Sequence, residues 1–395
     1  MQTNRYRIQA LALGLLLALP LMVLAEGDRT LRLPIGDPAR KGREVKLVLD
    51  GITDTRTGAV LTPAELPARL ADARLVLVGE MHTDMDVHRS QLRVIEELVR
   101  EGRKVFVGLE MYPYTEQRHL DAWVNGGLSE EEFLRQSRWY ENWGYHWNYY
   151  RDIFLLARDR KVRMFAVNAP REVVAQVRKK GFEGLTPEEA AHIPRDVDTA
   201  SPDHRTLFKS YFGADDPLHS GMTEEQWDSM ISAQATWDAT MAHNSVKALR
   251  EHGGPDTVMV VLVGSGHVAY GVGIERQAKR WMEGRIASVI PLNVREADGT
   301  AVEAVQASYA DFIWGLPPAS DPLYPSLGLS TSAAGGTLKV LFVSEKTPAE
   351  KAGFQAGDVL LSMDGTPLPD KETLNRLVAG KRWGDAAVVK VKRGE

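Results

Sequence analysis

Glu80, His82, Asp84, Asp86 and His88 crowd into the second half of Arg74–His88, RLVLVGEMHTDMDVH, directly after an apolar run. Other apolar runs end on similar groups. Lys104–Met111 (KVFVGLEM) carries Glu110, Val162–Pro170 (VRMFAVNAP) carries Asn168, and Thr257–His267 (TVMVVLVGSGH) carries His267. Gly-x-x-His thus occurs twice, at Gly79–His82 and Gly264–His267, each time behind a strand-like run. Three chemistries suit such a set. Imidazoles and carboxylates without thiolates would hold zinc, manganese or another borderline divalent ion, with Glu80, His82, Glu110 and His267 as donors to a nucleophilic bound water. Without a metal, Glu80 and His267 would serve as general acid and base. A large cofactor held by tyrosine or histidine is the third, and Tyr112 and Tyr114, just past Glu110, are the nearest tyrosines. Spacing does not separate the three. Thr83 or Asp84 is placed to cap the helix that follows, and His88 in its opening turn faces either the cleft or solvent.

The elements that must position these groups are legible as strands and helices. Continuous apolar runs are strands covered on both faces, and RSQLRVIEELVREG after the first is an amphipathic helix with Gly102 as its stop. Strands alternating with helices predict an α/β fold, a mostly parallel sheet with helices on both faces, whose ligand crevice lies outside the carboxyl ends of the strands. Ala287–Val294 reads as the last strand, after an irregular Leu47–Leu70. Thr115–Lys161 and Arg171–His252 exceed single crossovers and predict a helical cap. Within it WYENWGYHWNYY (Trp139–Tyr150) holds seven aromatic residues besides His146, read as packing or as the wall for a flat apolar ligand.

The chain of 395 residues has no cysteine and a formal net charge of −5, which excludes disulfides and thiolate chemistry and gives no basis for nucleic-acid binding. Its first 25 residues, with a basic start, the apolar run Ile8–Leu24 and the ending Val23-Leu24-Ala25, predict a cleaved secretory signal and a periplasmic or otherwise exported protein. Tyr309–Pro325, with its four prolines, reads as a linker between a first domain at 47–295 and a β-rich unit at 326–395.

GEMHTDMDVH, GLEMY and VGSGHVAYGVGI, in that order on strand ends, resemble the ChaN-type haem-binding uptake proteins and, more distantly, their Tiki, TraB and erythromycin-esterase relatives. The resemblance covers Leu47–Val294. It implies an exported, iron-regulated haem-binding protein on a fold shared with metal-dependent proteases and hydrolases, the shared polar set being Glu80, His82, Glu110 and His267. It also implies a tyrosine on the iron, with Tyr112, Tyr114, His82, His88 and His267 as the cofactor-binding candidates here. ChaN-type proteins commonly carry a lipid anchor on a cysteine, which this chain lacks. Ser326–Glu395 is similar to a PDZ domain of the bacterial HtrA type, which implies capture of a peptide C-terminus by the backbone of Leu327, Gly328 and Leu329. Two functions follow as expectations: haem binding, with the PDZ unit recruiting a peptide partner or a second copy in a homodimer, or metal-dependent hydrolysis, with the PDZ unit delivering substrate.

Overall fold

A computed structural model describes residues 30–212, 221–334 and 336–394. The expected signal segment lies outside them. Two compact units emerge, one ending at Leu323 and one spanning Tyr324–Glu395.

The strands of the first unit are β1 (Glu44–Lys46), β2 (Ile52–Asp54), β3 (Val60–Leu61), β4 (Ala73–Glu80), β5 (Lys104–Pro113), β6 (Arg163–Asn168), β7 (Thr257–Gly264), β8 (Arg285–Asn293), β9 (Ala304–Gln306) and β10 (Phe312–Leu316). Eight of them form one sheet in the order β3-β2-β10-β8-β4-β7-β5-β6. From β10 to β6 every pairing is parallel, while β2 and β3 add an antiparallel margin. β1 and β9 make a separate antiparallel ribbon.

Side chains alternate between the faces of a strand. Leu75, Leu77, Met259 and Val261 therefore share one face, where they pack with Met241, Val246 and Leu249 of the helix Glu224–His252. Val76, Val78, Val260 and Leu262 on the other face are equally buried, as a doubly covered sheet requires. The edge strand β6 is closed to further pairing by a side chain. Gln117 accepts from the Ala166 N–H at 2.8 Å and donates to the Met164 carbonyl at 2.8 Å.

Of the two segments predicted to form a cap, Thr115–Lys161 folds as the helices Gln117–Asn125, Glu130–Gln136 and Arg151–Arg160 around an aromatic cluster of Trp123, Phe133, Trp139, Trp147 and Phe154, whereas Arg171–His252 ends in the long helix that covers a face of the sheet. Two expectations need correction. Tyr309–Pro325 is not a linker throughout: Phe312–Leu316 is a fully buried strand hydrogen-bonded between β8 and β2. Ala287–Val294 is accordingly not the last strand. The prolines that suggested a linker, beginning at Pro317, follow β10 and end it.

The second unit contains β11 (Leu329–Ala334), β12 (Thr337–Val343), β13 (Val359–Met363), β14 (Thr366–Pro367) and β15 (Val389–Lys392), with helices Pro348–Lys351 and Lys371–Ala379. Its sheet runs β11-β12-β13-β14, with β15 also on β13, around Leu338, Val340, Leu360, Met363, Leu368 and Leu374. Among the described residues no helix is long and apolar enough to cross a membrane.

Candidate functional site

β4, β5 and β7 lie side by side, so their carboxyl ends deliver Glu80, Glu110 and Gly264 to one place. A Cβ on Gly264 would lie 3.6 Å from His82 Nε2 and 3.7 Å from Glu110 Oε2, which puts both side chains over the tip of β7.

Glu80 does not cap a helix. Its carboxylate is fully buried and accepts three hydrogen bonds: from His82 Nδ1 at 2.7 Å, Tyr150 Oη at 2.8 Å and Gln91 Nε2 at 2.8 Å. Burial works against its charge, yet the His82 bond, the His88 and His82 charges and the Gln91 bond hold its pKa down to about 2. A carboxylate only accepts, so His82 Nδ1 carries a proton, and Nε2 lies beside Gly264. Burial opposes the His82 imidazolium, but Glu80 more than offsets it and raises its pKa. The ring sits against Trp143 (4.9 Å, edge-on) and Tyr145 (4.7 Å).

The second Gly-x-x-His is built differently. His267 Nδ1 meets Asp238 Oδ1 at 2.6 Å, and its Nε2 lies 3.4 Å from Glu110 Oε1. Both nitrogens thus face carboxylates. Burial would discharge this imidazole, but Asp238 first and Glu110 second overcome it and raise its pKa to about 10. Behind Asp238, His204 Nε2 lies 3.2 Å from Oδ2. Glu110 is also anchored by the Gly264 N–H at 2.7 Å. Acid and imidazole therefore alternate in a row: Glu80, His82, Glu110, His267, Asp238, His204.

A sequence model of the family described as haem-binding uptake, Tiki superfamily, ChaN matches residues 66–277, a span that contains every member of this row. The chain belongs to that family. A PDZ-domain model matches residues 325–395. Among solved structures, the ChaN of Campylobacter jejuni, described by its cofacial haem binding, aligns with a TM-score of 0.52 at 20% identity over 67% of this chain and 95% of that one. An erythromycin esterase mutant in its open conformation aligns with a TM-score of 0.40 at 11% identity over 70% and 98%. A Bacillus cereus protein gives 0.35 at 16% identity over 61% and 73%. No curated protein matches the sequence.

Within this ChaN family member the remaining expected residues fall in distinct places. His88 faces neither cleft nor solvent. It is buried behind Glu80, its nitrogens 3.0 Å from Gln91 Oε1 and 3.2 Å from the His82 carbonyl. Asp84 caps the helix Met85–Arg100 through the Asp86 and Val87 N–H groups. Asn168 donates to the Glu110 carbonyl at 2.9 Å and so fixes β5 rather than facing a ligand. Tyr112 is fully buried in the aromatic cluster with its hydroxyl 2.7 Å from Ser137 Oγ, and Tyr114 meets His192 Nδ1 at 2.7 Å. The tyrosine beside His82 is Tyr145, whose phenol is pushed up by burial and by the Glu110 and Glu80 charges. Among the described residues no group of three or more such donors is placed to hold a metal ion, the set Glu80, His82, Glu110 and His267 included. Each imidazole instead spends its Nδ1 on its own carboxylate. Asp238, His204, Gln91, Tyr145 and Tyr150 complete the site. In the PDZ unit, Gly328 takes the left-handed conformation (φ +76°) between Leu327 and Leu329, the backbone turn a carboxylate-binding loop needs.

Proposed function

We propose that this chain is an exported haem-binding protein of iron uptake whose PDZ unit binds the C-terminus of a peptide or protein. The observation that carries the haem reading is the state of His82. Haem iron takes one or two axial donors from the protein, whereas a bare zinc ion takes three or four. His82 offers one nitrogen, Nε2, with Nδ1 tied to a buried carboxylate, the arrangement that orients a metal-ligating imidazole and raises its basicity. His82 would hold the iron, and Trp143 and Tyr145 would flank the macrocycle. Arg171, half-buried, donating to the Asn142 carbonyl and close enough to feel the Glu141 and Glu110 charges, would meet a propionate. Tyr145 is the alternative donor, but burial and two carboxylates oppose its ionisation. Bound haem would supply a redox-active iron, and the chain's own residues bind and orient it. The cofacial haem binding described for the Campylobacter jejuni ChaN, together with one free imidazole here, favours a homodimer in which two copies face each other.

Titration of the purified protein with haemin tests this. Saturable binding with a Soret band that shifts or disappears in His82→Ala, and persists in His267→Gln, supports the reading. A Soret band unchanged by His82→Ala, or no saturable binding by a folded protein, overturns it.

The alternating row favours one second reading, hydrolysis without a metal. Glu110 and the His267 imidazolium would act as base and acid on a substrate in the same cleft. Ester turnover lost in Glu110→Gln but retained in chelator-treated protein would establish it.

A further inference from the structure

A cavity of about 560 Å³ lies at the other end of the sheet from the cleft. Arg74 stands at the start of β4, six residues before Glu80 and so roughly 20 Å from it. With Arg74 the cavity is lined by Arg250, Lys279, Arg280, Trp281 and Glu283, together with aliphatic groups from the last turns of the helix Glu224–His252. The volume is that of a small-molecule site.

The charges in it are unevenly matched. Lys279 is paired with Glu275 at 2.6 Å, and Arg280 is paired with Asp196. Arg250 donates to the Trp281 carbonyl and has no carboxylate partner among the described residues. The Arg74 side chain makes no hydrogen bond and no ion pair among the described residues, and its Nε is buried. Buried donors normally have acceptors, and a guanidinium is charged at every physiological pH with its five donors in a fixed fork. Glu283 is exposed and pairs with neither arginine. Beside these cations the half-buried Trp281, perpendicular to His243 at 5.3 Å, supplies the aromatic part of the lining.

We propose that this cavity is a second binding site, separate from the cleft, for a small organic anion: a carboxylate or phosphate head against Arg74 and Arg250 and a flat apolar body against Trp281. Such a head takes up the unused donors of Arg74, bidentately where the geometry of the fork is matched. The aromatic body replaces water on the indole and the aliphatic floor.

Calorimetric titration of the full chain with 1-naphthoate, 1-naphthyl phosphate and inorganic phosphate tests the assignment. One of the two naphthyl probes should bind saturably at one per chain, and the tighter of them identifies the head group. Arg74→Met should weaken it at least tenfold with the thermal unfolding midpoint and haemin titration unchanged. Trp281→Leu should weaken the naphthyl probe and leave inorganic phosphate where it was. No saturable binding of either naphthyl probe at millimolar concentration overturns the proposal, as does equal affinity in Arg74→Met. Displacement of the probe by one equivalent of haemin also overturns it, because the probe would then occupy the cleft. If haemin fails to bind at all while the naphthyl probe binds, this site stands and the haem reading falls.

Discussion

Replacing Glu80 by glutamine tests the electrostatics of the cleft while keeping the side chain's shape. The carboxylate's pKa drops from 4.5 to about 2 on folding, roughly 2.5 units, which at about 1.4 kcal/mol per unit is on the order of 3 kcal/mol of stability at neutral pH. Glutamine forfeits this, and it also brings an NH2 group to a position surrounded by donors from His82, Tyr150 and Gln91. The sign is fixed by linkage. A carboxylate with a depressed folded pKa stabilises the protein fully above its unfolded pKa of 4.5, and that stability drains away as the pH falls toward 2. The gap between wild type and variant should therefore be about 3 kcal/mol at pH 7 and pH 5 and shrink to roughly half by about pH 3. Urea unfolding at those pH values measures it. Tryptophan fluorescence reports the first unit, since Trp383 is the one tryptophan after Leu323. A gap that stays constant down to pH 3, or is below about 1 kcal/mol at pH 7, refutes the buried-carboxylate reasoning.

Asp238→Asn should bring the His267 pKa down from about 10 toward or below its ordinary 6.5, read by NMR titration of the ring. Stability contributed by the His267 imidazolium is complete below 6.5 and lost as the pH rises through 10, so wild type should weaken over that window and the variant should not. Gly273→Ala places a Cβ 2.3 Å from the His267 carbonyl oxygen, which must move; a loss of about 2–4 kcal/mol is expected by chemical denaturation, with the His267 NMR signal shifted. Gly328→Ala combines a left-handed backbone with a Cβ 2.3 Å from Thr347 Cγ2, so peptide binding by the PDZ unit should fall at least tenfold, as fluorescence anisotropy would show, with haemin binding unchanged.

What was legible in the sequence follows the period of each element. Glu80, Glu110 and His267 end long apolar runs, where a parallel sheet exposes its tips, so they stood out. Asp238 and His204 sit on helices, Tyr150 and Gln91 at the head of one and within another, where a single inward polar residue is indistinguishable from the polar face until the neighbours are known. Nothing in the spacing pairs Asp238 with His267, because 29 residues and a change of element separate them. Tyr112 was favoured over Tyr145 because it lies close to Glu110 in sequence, yet β5 turns it into the aromatic cluster while the Trp139–Tyr150 segment brings Tyr145 back to His82. β10 was hidden because five residues without a polar side chain, followed at once by two prolines, look the same in a linker as in a short buried strand.

The position of β10 also sets an order of events. β2 and β3 join the main sheet only through β10, which is more than 250 residues downstream of them. The amino-terminal hairpin must therefore wait, unpaired along one edge, until nearly the whole first unit has been synthesised. Such long-range closure slows folding, and a chain cut after Val294 would keep the residues of the cleft yet leave β8 and β2 as open edges ready to pair with another molecule.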